Sequence, residues 1–263
     1  MVVIAALAVI TVLAWAYVLS LSAPMTPAAS AGMADMPMNG MAVSGMANTL
    51  APAIRPWAPA TVAYMFVMWS VMMFGMMTPS VAPMILLYAQ VGRKAVEGGS
   101  PFASTGWFFA GYLAVWTLFS ALATGVQWAL TQAALLTPMK AASSAILGGA
   151  LLIGVGVYQW TPVKQTCLKA CQAPLSFLMA HGGFRGDRVG ATRLGVSHGV
   201  YCLGCCVALM ALLFVGGVMN VLWIAGLTIL ILLEKVVPTG RLIPRISGAL
   251  IGAAGVWMIV RAV

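Results

Sequence analysis

Met65-Phe66-Val67-Met68-Trp69-Ser70-Val71-Met72-Met73-Phe74-Gly75-Met76-Met77-Thr78-Pro79 lies within a run from 56 to 92 that carries no charged side chain. An apolar segment of about 20 residues crosses the ~30 Å hydrocarbon core of a bilayer, so this run is long enough to span one. Other charge-free stretches cover 1–34, 98–139, 141–163, 194–233 and 246–260. Only 6% of residues are charged and mean hydropathy is +1.03, which leaves no soluble domain of useful size. The fold class is therefore all-α, a polytopic transmembrane helix bundle.

The run from 194 to 233 is too long for one span, and Gly216-Gly217-Val218-Met219-Asn220 breaks it with turn-forming residues. About seven helices are predicted, over roughly 2–22, 59–90, 104–133, 142–162, 194–215, 218–236 and 246–262. Six remain if the first is a cleaved signal peptide, for which Ser22-Ala23 offers a site; against cleavage stand the missing basic n-region and an apolar run longer than about 15 residues. The chain thus divides into a first transmembrane helix or signal anchor (1–22), a Met-rich flexible outer loop (23–57) and a six-helix metal-binding membrane domain (58–263).

Basic residues accumulate in cytoplasmic loops and so choose the orientation. With the N-terminus inside, the cytoplasmic side holds Arg93, Lys94, Lys164, Lys169, Arg185, Arg188, Arg193, Lys235, Arg241 and Arg245, and the outside only Arg55, Lys140 and Arg261. The net charge of +9 follows from that topology and from anionic lipid headgroups, and it does not call for nucleic acid.

This orientation separates two stores of sulfur. The outer loop contains Met33, Met36, Met38 and Met41 in a setting of Ala, Pro, Gly and Ser too poor in large apolar groups to build a core. A thioether is a soft ligand for Cu(I) and has no proton to lose, so Met-x-Met spacing fits copper capture on an oxidising side. A low-complexity loop in a Met-rich chain is the plain alternative. In the second helix Met65, Met68, Met72 and Met76 share one face, with Met73, Met77 and Met84 beside it. Such a face serves either to pack against neighbouring helices or to pass Cu(I) along thioethers. Pro79 and Pro83 remove intrahelical hydrogen bonds, so this helix needs protein around it and is expected to be central.

The five cysteines form two clusters on the inner side, Cys167 with Cys171 and Cys202 with Cys205 and Cys206. A reducing cytosol favours thiols over structural disulfides. If the segment around 164–172 is helical, Cys167 and Cys171 share a face, and His198, Cys202, Cys206 and Met210 repeat every fourth residue along the fifth helix, giving a soft-ligand seam that the other cluster can fold back to meet. Thiolates with an imidazole suit Cu(I), with zinc as the alternative metal. Single buried cysteines usually just pack, but all five in two tight groups favour metal or redox chemistry. His181, next to Gly182-Gly183, is expected in a solvated loop. Glu234 and Lys235 are expected to form an interfacial charge pair, and Gln127, Gln159 and Asn220 to satisfy hydrogen bonds between helices or at their ends. The glycines at 148–149, 154–156 and 248–255 mark close helix packing.

Met68-Trp69-Ser70-Val71-Met72-Met73 with Met76-Met77 and Pro79, Tyr158-Gln159 with Pro162, Lys164, Cys167, Cys171 and Pro174, Gly199 with Cys202, Gly204-Cys205-Cys206 and Met210, and finally Met219-Asn220 and Glu234-Lys235 resemble, in order and spacing, a bacterial family of predicted metal-binding integral membrane proteins. It is a domain of unknown function, and some of its members are labelled copper chaperones. The likeness covers roughly 60–260 and implies a metal-binding protein of the bacterial inner membrane without fixing a mechanism. The loop methionines lie outside it.

The expected function is Cu(I) handling: capture at the outer loop, passage along Met68, Met72, Met73, Met76 and Met77, and retention by Cys167, Cys171, Cys202, Cys205, Cys206 and His198. No Walker loop or phosphorylation aspartate is present, so movement would be passive, gradient-coupled or a handover to a copper-accepting protein partner. An accessory subunit of a larger, copper-dependent membrane complex is the second reading. The third is a membrane thiol oxidoreductase using Cys202 and Cys205. No enzyme activity is otherwise expected.

Overall fold

The computed structural model describes residues 2–22, 59–99, 103–136, 144–184, 186–218, 220–237 and 240–262. The helices in these segments are α1 (Val2–Ser22), α2 (Pro59–Glu97), α3 (Thr105–Gln132), α4 (Ala145–Tyr158), α5 (Pro162–Gln172), α6 (Pro174–Ala180), α7 (Arg188–Ala211), α8 (Leu213–Gly216), α9 (Val221–Val236) and α10 (Leu242–Val260). The outer-loop methionines Met33, Met36, Met38 and Met41 lie outside the described residues.

By length and composition, α1, α2, α3, the α7–α8 pair and α10 can each cross a membrane, and α4 with α5 makes a sixth candidate bent by 65°. The bend falls where Thr161 caps α5 and Pro162 opens it, so the fourth expected span corresponds to α4, and α5 turns away from its axis. The span expected over 218–236 is α9, whose 16 residues reach about 24 Å at ~1.5 Å per residue, short of a full crossing. Asn220 caps it by accepting from the Trp223 N–H at 3.2 Å, and Gly217 turns the chain before it with φ of 90°.

Helices apolar enough to cross a membrane gain little there from hiding apolar surface, and close packing is what can join them. α3 meets α7 where a Cβ on Gly111 would collide with the Thr192 carbonyl and one on Gly195 with that of Phe108. α4 meets α10 through Gly149 and Gly255 and through Gly156 and Gly248, as the glycine pattern predicted. Ala14 of α1 seats on Gly75 of α2, and the other faces of α1 and α10 remain exposed and apolar, as lipid contact requires.

α2 is the central element. Trp69, Met73, Met77, Thr78 and Tyr88 are fully enclosed, and the helix runs unbroken through Pro79 and Pro83. Carbonyls around the prolines gain side-chain donors: the Thr78 hydroxyl donates to Phe74 O at 2.6 Å, and Ser80 and Tyr112 hydroxyls donate to Met77 O at 2.9 and 3.4 Å. In its N-terminal part Trp69 donates to Gln127 Oε1 at 2.6 Å, and Gln127 donates to Met65 Sδ at 3.5 Å. Gln127 thereby fills the role the sequence assigned it.

Candidate metal centre

α7 carries Cys202, Cys205 and Cys206 on its buried side, and α5 packs against that side. The bend after α4 brings α5 back, which sets Cys171 Sγ 3.9 Å from Cys205 Sγ. The meeting of the two cysteine clusters, expected from the sequence, is therefore present. All five cysteines are free thiols. Cys167 lies one turn earlier against Gly204, where an added Cβ would stand 2.7 Å from its sulfur, and the Tyr158 hydroxyl donates to the Gly204 carbonyl at 2.6 Å. Gly204 is thus the residue that lets α5 come close enough.

Lys235 of α9 enters this layer from a third side. Its Nζ donates to Cys202 Sγ at 3.0 Å and to Ser80 Oγ at 3.1 Å, and lies 3.8 Å from Met77 Sδ. An ammonium has only donors, so Cys202 sulfur is the acceptor. The Tyr112 hydroxyl lies 3.2 Å from the same sulfur. Cys205 and Cys206 turn their thiols back to the Cys202 carbonyl, each at 3.0 Å. Through Lys235 the methionine helix and the cysteine helix share one polar node.

The expected Glu234–Lys235 pair is not formed. Consecutive helical residues point about 100° apart, and each of these charges, being desolvated, takes its own partner. Glu234 Oε2 accepts from Lys164 Nζ at 2.6 Å, with Lys164 completely buried. Its Oε1 accepts from Gln159 at 3.0 Å and from Ser247 at 3.2 Å, and its backbone carbonyl accepts from Gln172 at 2.7 Å. Lys164 and Lys235 are accordingly interior residues and not cytoplasmic-loop charges, and the basic tally behind the predicted topology loses both.

His198 is buried one turn before Cys202, and the ring centroids of Phe177, Tyr112 and Phe108 stand 5.1, 6.1 and 6.0 Å from its own. Among the described residues its Nδ1 has no hydrogen-bond partner. His181 lies in the turn after α6, as expected, and is half-buried there: it stacks on Phe177 at 4.2 Å, with Nδ1 at 2.9 Å from the Phe177 carbonyl oxygen. Met210 continues the seam as a buried residue.

The methionine face divides in two. Met72 and Met76 line the seam with Ala14, Trp15 and Val18 of α1 and Ile224 of α9, whereas Met77 reaches Lys235. Met68 and Met73 are also buried in the core. Met77, Lys235, Ser80 and Tyr112 form the surroundings of Cys202. Of these, only Met77 was expected as a ligand and Lys235 was marked only as a partner for Glu234; a serine, a tyrosine and a lysine at a helix end carry no pattern that points to a cysteine on another helix.

Among the described residues no three His, Cys, Asp or Glu side chains stand in position to hold a metal ion. The hydrogen bonds give the reason: two thiols are turned to a carbonyl and Cys202 is engaged by Lys235. The closest approach to a site is the Cys171–Cys205 pair. With metal–sulfur bonds of about 2.3 Å, its 3.9 Å separation subtends about 115° at a shared ion, between tetrahedral and trigonal values.

A family model described as copper chaperone, PpoB2, matches residues 66–258. No curated protein and no solved structure matches the chain. The match takes in α2 through α10 and every cysteine, so the chain belongs to this copper chaperone family, the kind of family its motifs resemble.

Proposed function

We propose that this copper chaperone family member binds Cu(I) as cargo inside the membrane, with Cys171 and Cys205 gripping the ion between them. Cys202 and Cys206 complete the sulfur layer after small rotations of their side chains, with Met77 at its edge. Cys167 and His198 flank the layer one turn away on either element and serve as stations for entry or departure. The observation that carries this reading is the 3.9 Å approach of two free thiols from different helices, in a layer that also contains three more soft ligands. Soft sulfur in a nonpolar enclosure selects Cu(I) over hard cations, with zinc as the competing possibility.

Outer capture by Met33, Met36, Met38 and Met41, and passage inward by Met68, Met72, Met73 and Met76, extend the proposal toward the other face. Release follows by ligand exchange with a copper-accepting partner at the cytoplasmic side, since the chain has no nucleotide-binding signature. The deciding experiment is elemental analysis of detergent-purified protein loaded with Cu(I), wild type against a variant with all five cysteines changed to serine. About one copper per chain in the wild type and none in the variant is the expected result. Equal copper in both removes the cysteines from the function.

The same sulfur pair favours a second reading, a thiol–disulfide exchanger. Thiol trapping in cells separates the two: protected, reduced cysteines go with metal, and a mixture of reduced and disulfide-linked Cys171 and Cys205 goes with redox.

A further inference from the structure

The Lys235 ammonium occupies the place a bound cation would take. It is enclosed in the protein, points at a thiol sulfur, a thioether sulfur and a hydroxyl, and lies apart from the carboxylate next to it in the chain, which Lys164 neutralises. Placing a lysine at full burial costs free energy unless strong acceptors surround it, and here the acceptors are the ligand atoms themselves. The carboxylate beside it in the chain points to another side of α9 and is held by Lys164. Lys235 instead faces the soft ligands.

We propose that Lys235 is a built-in competing cation, which holds the sulfur layer together without cargo, gives way when Cu(I) arrives, and by its repulsion promotes release and bars divalent ions. This rests on the Cu(I) reading above. At Cys202 the S–H bond breaks and its proton passes to water or buffer as the metal–sulfur bond forms, the hydrogen bond from Nζ is lost, and the ammonium swings toward Ser80, which it already touches. Coulomb repulsion between the ammonium and the bound ion grows with the ion's charge, so Zn(II) meets twice the opposition that Cu(I) meets. A chaperone needs such a device, because a thiolate site without opposition is a sink.

The test uses full-length protein in detergent, with Lys235→Met and with Lys235→Gln, which keeps a donor and drops the charge. Cu(I)-loaded protein is mixed with a colorimetric Cu(I) chelator and the transfer rate recorded, and Zn(II) and Cu(I) affinities are measured by competition. Repulsion of this kind predicts transfer slowed about tenfold or more in both variants, with Zn(II) affinity rising by a larger factor than Cu(I) affinity. Transfer at the wild-type rate, or loss of Cu(I) from variants whose melting matches wild type, overturns the proposal. Should neither variant fold, the wild type decides: it must reject Zn(II) at its cysteines, and stoichiometric Zn(II) that disappears in the five-cysteine variant overturns it. Failure of the wild type to bind Cu(I) refutes the underlying copper reading instead.

Discussion

Cys171 and Cys205, 34 positions apart in the chain, bring their sulfurs within 3.9 Å because α5 doubles back onto α7 at the bend after Tyr158. Neither cysteine's own helix supplies the other's partner. The contact exists only while the α4–α5 bend and the α5–α7 packing are both in place.

If the pair shares one ion, its two substitutions are not additive. Cys171→Ser and Cys205→Ser should each lower Cu(I) affinity at least about tenfold, and the double variant should be little worse than either single. Competition with a Cu(I) chelator measures all three. Multiplying losses would mean separate sites.

Met77 and its neighbours on α2 should behave differently. Met77→Leu is expected to weaken equilibrium Cu(I) binding several-fold, whereas Met72→Leu and Met76→Leu, on the proposed path and not at the site, should slow Cu(I) loading, leave the equilibrium affinity unchanged and cost less than about 1.5 kcal/mol of stability. Loading at the wild-type rate in both path variants would remove Met72 and Met76 from the path, and equal losses of affinity at all three positions would make them ligands of the site.

The buried Lys164–Glu234 pair joins α5 to α9 and so supports the cysteine layer from behind. Lys164→Met strands a carboxylate in the interior and should destabilise the protein by about 3–5 kcal/mol. The double change Lys164→Met with Glu234→Leu removes the stranded charge and should recover most of that loss. Thermal melts in detergent read both, and a double variant as unstable as the single would mean that the pair's geometry matters more than its charge balance.

Orientation has its own measurement. Cys167 and Cys171 are half-exposed while Cys202, Cys205 and Cys206 are enclosed, so the first two are the positions an alkylating reagent reaches. A membrane-impermeant maleimide should leave them unlabelled in spheroplasts and label them in inside-out vesicles. Labelling from the outer side would reverse the proposed topology.

Gly195 offers a packing test apart from the metal question. An added Cβ meets the Phe108 carbonyl across the α3–α7 seam, so Gly195→Val should force these helices apart and lower the melting temperature sharply. A melt within a degree or two of wild type would mean the seam can yield.

The sequence by itself determined the helical class, the central place of α2, the close glycine packing of α4 on α10, and the grouping of the soft ligands. These follow from hydropathy, residue size and spacing, which act along one helix and leave a periodic trace. Only the tertiary structure decided that Glu234 pairs with Lys164, that Lys235 turns to Cys202 and Met77, that His198 sits among aromatic rings, and which methionines face α1. Burial of charge forces each ionised group to find a partner, but the nearest one in sequence lies on the wrong side of its helix. The partner is fixed by how helices cross, and nothing in local spacing encodes that.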